Sequence, residues 1–140
     1  MNVESLAAKK CVACEGGADL LRGDVLADMI AAIPLWTLAA ASPEPLESED
    51  TKRRPDGWLE ASVEDAGAIY RRFNCGNFRE AQRRMNVVAD LSEQEQHHPD
   101  MHLTGYRHLM VVLTTHAIGG LSENDFILAA KIEKALVDNP

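Results

Sequence analysis

Positive charge is scarce in this chain: Lys and Arg number 14 against 22 Asp and Glu, a formal net charge of -8 over 140 residues. So acidic a surface repels nucleic acid and anionic membrane, and neither is expected as a partner. The basic pairs Arg53-Arg54, Arg71-Arg72 and Arg83-Arg84 are too scattered to reverse this and are expected on solvated faces. Long apolar runs are missing too. The most apolar stretch, 25–41, is interrupted by Asp28 and Pro34 and falls short of the roughly 20 residues that cross a bilayer, so it reads as core. The opening MNVESLAAKK has no apolar segment followed by small cleavage residues, which predicts no secretory signal and a cytoplasmic protein, an organelle remaining open. Cysteine is equally sparse: Cys11, Cys14 and Cys75 cannot all pair within one chain, and an intracellular setting keeps thiols reduced. Disulfides are not expected to hold this fold.

What is present suits one globular core, since 46% of the residues are hydrophobic and the length is too small for two domains. Residues 1–17, ending in KKCVACEGG, read as an N-terminal extension with a CxxC, packed loosely on a single domain spanning 18–140. Leu20, Leu21, Val25, Leu26, Met29, Ile30 and Ile33 recur at helical spacing until Pro34 stops them. A short strand is expected over 35–38, then a long connection over about 42–65, with Trp58-Leu59 pinning part of it. A second strand follows over 68–73. Asn77 and Glu80 have the pattern of a capping box, opening a helix to about Glu95. Pro99 disfavours helical geometry at His98, so the preceding histidines sit at the exit of that helix. Strands are expected at 103–106 and, most strongly, at 108–115, where alternation places Met110, Val112, Thr114 and His116 on one face and Leu109, Val111, Leu113 and Thr115 on the other. Ser122 and Asp125 form a second capping box, opening a last helix to about Val137. The expected class is α+β, in the order α-β-β-α-β-β-α: a four-stranded antiparallel sheet with three helices on one face.

All five histidines lie in the run 93–125, EQEQHHPDMHLTGYRHLMVVLTTHAIGGLSEND. Imidazole gives and takes a proton near neutral pH, so such a cluster points to acid/base chemistry or to a metal. Spacing separates the two better than number. Glu93, three residues, His97-His98-Pro99, six residues, Tyr106, nine residues, His116, eight residues and Asp125 together resemble the signature of the pterin-4a-carbinolamine dehydratases. FNCGNFREAQRRMNVVADLSEQEQ resembles that family's approach to its HHP motif, and LSEND with FILAAKIEKAL resembles its last helix. The similarity extends over roughly 33–136 when the long connection is set aside, and the N-terminal extension resembles that of plant-like members. A segment between Trp36 and Ile69 longer than a tight hairpin needs is the main departure, and it bears on oligomer contacts more than on chemistry.

The resemblance implies a hydro-lyase that dehydrates 4a-hydroxytetrahydropterin to quinonoid dihydropterin in tetrahydropterin recycling, with no metal or redox cofactor. It implies a reduced pterin as ligand and a homodimer or homotetramer as the working form. Residue by residue, it implies His97 and His116 as acid/base partners and His98 as the group that binds and orients the pterin. Pro99 sets the turn, Asp125 holds a histidine or an edge of the ring, and Glu93 and Tyr106 line the pocket. Each has a blander reading. Histidines at a helix exit are ordinarily favourable near the negative dipole end, and Asp125 is fully explained as the third residue of a capping box. Tyr106 is expected to pack more than react, since phenols in general ionise too high for this task. His102 and His108 are expected at a surface or strand edge. A zinc site of His97, His98 and His116 is the formal alternative for the cluster, and Cys11 with Cys14 is half of a zinc knuckle with no second half in sight. The alternative function that the resemblance implies is a non-catalytic dimerisation or transcriptional-cofactor-type interaction protein on the same fold, using the apolar residues Phe126, Ile127, Leu128, Ile132 and Leu136 of the last helix.

Overall fold

A computed structural model describes residues 1–12, 18–40 and 60–138. In chain order the elements are α1 (Val3–Ala7), α2 (Gly23–Ala32), β1 (Thr37–Ala40), β2 (Ala66–Asn74), α3 (Phe78–Glu95), β3 (Asp100–Thr104), β4 (His108–Leu113), a 3-10 turn (His116–Ile118) and α4 (Glu123–Asp138). The strands form one antiparallel sheet in the order β1-β2-β4-β3, the α+β arrangement that the periodicities predict. Trp58, Leu59 and Cys14 lie outside the described residues.

Strand alternation decides what the sheet buries. Leu109, Val111 and Leu113 of β4 join Ile69 and Phe73 of β2 in the main core, which takes in Leu26, Met29 and Ile33 from the first helical region and Val88, Phe126, Leu128 and Ile132 from α3 and α4. The intervening Ala39, Ala68, Tyr70, Met110 and Val112 make a smaller buried group on the opposite face. Arg71, on the helix side between Ile69 and Phe73, ion-pairs with Glu133 of α4, and Trp36 Nε1 donates to that same carboxylate at 2.9 Å. Charge is thus carried into the core in a satisfied form.

Four local expectations change. The first long helix begins at Gly23 and not near 18, because the preceding segment is extended and Leu21 N–H donates to Leu121 O at 2.8 Å. Asn77 caps α3 by accepting from Glu80 N–H at 2.8 Å, yet the Glu80 carboxylate is taken by Arg83 and Arg84 instead of returning to the cap. β3 covers Asp100–Thr104, ahead of the expected 103–106, because Gly105 and Tyr106 both adopt positive φ, +54°, and form the tight turn into β4. Residues 3–7 are a helix whose Leu6 is 1% exposed in the main core, with Ala7 O accepting from Lys131 Nζ at 2.8 Å. That helix is bound to α4 more tightly than a loose extension would be.

Candidate functional site

The site is built at the end of the β3–β4 hairpin away from its turn. α3 ends because Gln96 takes a left-handed conformation (φ 52°), and His97 N–H folds back to Ser92 O at 3.2 Å. Pro99 then leads straight into β3. The β3–β4 register runs from Thr104↔His108 to Asp100↔Val112, and continued three residues further it sets His97 opposite Thr115. Beyond β4 the chain closes a small loop in which Thr115 N–H donates to Gly120 O at 2.8 Å and Gly119 adopts a left-handed φ of 69°. This returns the chain to Ser122 and the start of α4, beside the strand it has just left.

Asp125 is where the segments meet. Its side chain is fully buried, and one oxygen, Oδ1, lies 2.7 Å from His97 Nε2, itself 5% exposed. The other, Oδ2, accepts from Ser122 N–H at 2.9 Å and from Thr115 Oγ1 at 2.8 Å. Thr115 Oγ1 is also 2.8 Å from Ser122 Oγ, and both hydroxyls are buried. Asp125 thus returns to Ser122 N–H with Oδ2, as the capping reading expects, and turns Oδ1 to His97. Three polar partners surround this one carboxylate, satisfying a group that would be costly to bury alone.

His116 follows Thr115 directly, with Cα atoms about 3.8 Å apart across the peptide, and opens the 3-10 turn with its side chain exposed. His98 is exposed on the other lip, where Nε2 is 3.2 Å from Glu93 Oε1. The structure thus brings His97, His98, Pro99, His116, Asp125 and Glu93 to one end of the sheet. Tyr106 is not brought there. It sits at the hairpin's opposite end, 57% exposed, with the Arg107 guanidinium over its ring. At about 3.4 Å per residue, the length of β3 alone puts it more than about 14 Å away, so it lines no pocket with His97 in this chain.

The remaining histidines lie along the hairpin. His102 faces Met110 across the ladder, and His108 begins β4, where burial first and then Arg72 and Arg107 push its imidazole below the ordinary range. Among the described residues no group of three or more His, Cys, Asp or Glu is arranged to hold a metal. Cys11 donates its thiol to Asn124 O at 3.6 Å, while burial, ahead of the neighbouring Glu95, pushes it up to about 12. A cavity of about 390 Å³ lies between the N-terminal segment and the start of α4, lined by Lys9, Lys10, Leu21, Asn124 and Ile127 among others, and none of His97, His98, His116, Pro99, Tyr106, Asp125 or Glu93 lines it. Phe126, Ile127, Leu128, Ile132 and Leu136 are all buried within the chain's own core. Thr115 and Ser122 are site residues that sequence reasoning missed. Their signal was available, since Thr115 adjoins His116 and Ser122 is the expected cap of Asp125.

Fold and site together define an α+β protein with a buried histidine–aspartate pair and two exposed histidines at the same end of its sheet. The pterin 4 alpha carbinolamine dehydratase family model matches residues 39–135, and the chain belongs to that family. A Nitrosomonas eutropha protein bearing the pterin-4-alpha-carbinolamine dehydratase name is 38% identical over 97% of this chain and 97% of its own length. The mitochondrial pterin-4-alpha-carbinolamine dehydratase 2 of Arabidopsis thaliana is 40% identical over 66% of this chain and 49% of its own length. Among solved structures, a transcriptional coactivator/pterin dehydratase from Brucella melitensis shares the fold, with a TM-score of 0.58 and 22% identity over 83% of this chain and 97% of that one.

Proposed function

We propose that this chain is a hydro-lyase that removes water from a 4a-hydroxytetrahydropterin to give the quinonoid dihydropterin. The observation that carries the reading is the buried His97–Asp125 pair at 2.7 Å, with Thr115, the residue before His116, bonded to the same carboxylate. In the reaction the bond from C4a to the hydroxyl oxygen breaks, the neighbouring nitrogen gives up its proton, and that N–H electron pair becomes the new C=N bond. One group must protonate the departing oxygen and another must accept the nitrogen proton, and two imidazoles near neutral pH suit both steps. His97 and His116 supply them between them. His98, at the rim and paired with Glu93, binds and orients the pterin, and Pro99 fixes the turn that presents it. Asp125 holds His97 in place and touches no substrate.

The product is returned to the tetrahydro form by a separate reductase, which places the enzyme in tetrahydropterin recycling. It works in the cytoplasm or an organelle as a homodimer or homotetramer, and its chemistry calls on neither metal nor redox cofactor. Tyr106 has no part in the reaction within one chain. An interaction protein using the apolar residues of α4 finds less support, because those side chains already fill the core. Supplying the purified protein with enzymatically generated 4a-hydroxytetrahydropterin and following dehydration by absorbance tests the reading. A rate well above buffer is expected, and a rate equal to buffer overturns it.

A further inference from the structure

We propose that Thr115 and Ser122 are positioning residues that act on His97 through Asp125, so that His97 meets the substrate with its proton locked on Nε2. The proposal rests on the dehydratase reading above. A threonine hydroxyl has a single hydrogen. Thr115 lies 2.8 Å from both Asp125 Oδ2 and Ser122 Oγ. A carboxylate can only accept, so the Thr115 hydrogen goes to Asp125, and the Ser122 hydroxyl must then donate to Thr115. The bonds run one way: Ser122 Oγ–H to Thr115 Oγ1, Thr115 Oγ1–H to Asp125 Oδ2, and His97 Nε2–H to Asp125 Oδ1.

Three consequences follow from this direction. Donation from Ser122 polarises the Thr115 O–H, which makes Thr115 the stronger donor to the carboxylate and fixes that carboxylate in place. Both hydroxyls are buried, Thr115 at 1% and Ser122 at 0% exposed, so the chain ends inside the protein and offers no exit for a proton. Asp125 is therefore an anchor and not a relay. With Nε2 held as the donor, the ring cannot hand that proton to Asp125 and its tautomer is fixed. Ser122 N–H adds a third donor to the same carboxylate, so the start of α4 is itself part of the clamp.

Long-range proton–nitrogen NMR of the labelled protein, with His97 assigned through His97→Gln, reads the tautomer without any turnover. The neutral His97 ring is expected to carry its proton on Nε2. Thr115→Val should mix in the Nδ1–H form and lower kcat about tenfold, as expected for the loss of a charge-assisted hydrogen bond, while KM stays within about twofold. Thr115→Ser should restore both readouts. If Thr115→Val does not fold, Ser122→Ala carries the test, with a smaller fall in kcat and the same direction of tautomer change. A wild-type ring protonated on Nδ1, or variants unchanged in both tautomer and kcat, overturns the proposal. A wild type with the Nε2–H ring but no dehydration defeats the functional reading and leaves the chain of bonds standing.

Discussion

At the scale of single residues, Asp125 illustrates why one side chain can satisfy two readings. As the third residue of a capping box it is expected to return to Ser122 N–H, and it does so with Oδ2. The same carboxylate still has Oδ1 for His97. Sequence spacing identifies the residue but cannot say how its two oxygens are divided, because that depends on how β4 and α4 are juxtaposed. Cys11 is the opposite case. A CxxC suggests half of a zinc knuckle, while burial pushes the half-buried Cys11 thiol itself up to about 12, so its reactive thiolate is scarce. Native protein at pH 8 should therefore alkylate with iodoacetamide at Cys11 at least about a hundredfold more slowly than free cysteine, as followed by peptide mass spectrometry. Labelling at the rate of free cysteine would contradict it.

At the scale of elements, the helices and strands follow from periodicity, while their ends are set by side-chain competition that a pattern does not record. Glu80 shows this at the start of α3. Its carboxylate fits the capping-box slot, but two guanidinium groups one turn on, Arg83 and Arg84, offer charged donors and win. Hydrogen bonds from Arg83 and then Arg84 hold the Glu80 carboxyl down to about 2, against an ordinary 4.5. A depressed carboxyl supports the fold fully above its ordinary value, and that support is lost as pH falls toward the folded value. In urea unfolding, Glu80→Gln should thus be less stable than wild type at pH 6, with the gap closing between pH 4.5 and 2. A gap independent of pH would show that the arginines contribute nothing through charge. The β3–β4 hairpin gives the second lesson. Tyr106 reads as strand by composition, yet Gly105 beside it admits the left-handed turn, and both residues adopt it. The turn fixes Tyr106 at the end of the hairpin away from His97.

At the scale of the whole molecule, the family match begins at residue 39, but the packed unit begins earlier. A five-residue helix has no stability of its own, so α1 exists because Leu6 inserts into the core and Lys131 and Lys134 reach it from α4. Little in residues 1–12 announced this, since one buried leucine makes no periodicity. Leu6→Ala should lower the unfolding free energy by about 2–4 kcal/mol, the usual range for emptying a buried leucine site, and a change below about 0.5 kcal/mol in urea titration would mark α1 as an appendage. The larger architecture was legible because β4 and α4 carry strong patterns, and the histidine end of the sheet was legible because the family spacing lies within one hairpin and its flanks. What that spacing could not convey is which end of the hairpin each residue occupies. The central claim is that the chemistry resides at the His97 end. One assay tests it: dehydration of 4a-hydroxytetrahydropterin by His97→Ala and Tyr106→Ala beside wild type. A loss of at least about a hundredfold is expected for His97→Ala, the scale of general acid–base catalysis, with Tyr106→Ala within about threefold of wild type. Full activity in His97→Ala, or the larger loss in Tyr106→Ala, would contradict the account.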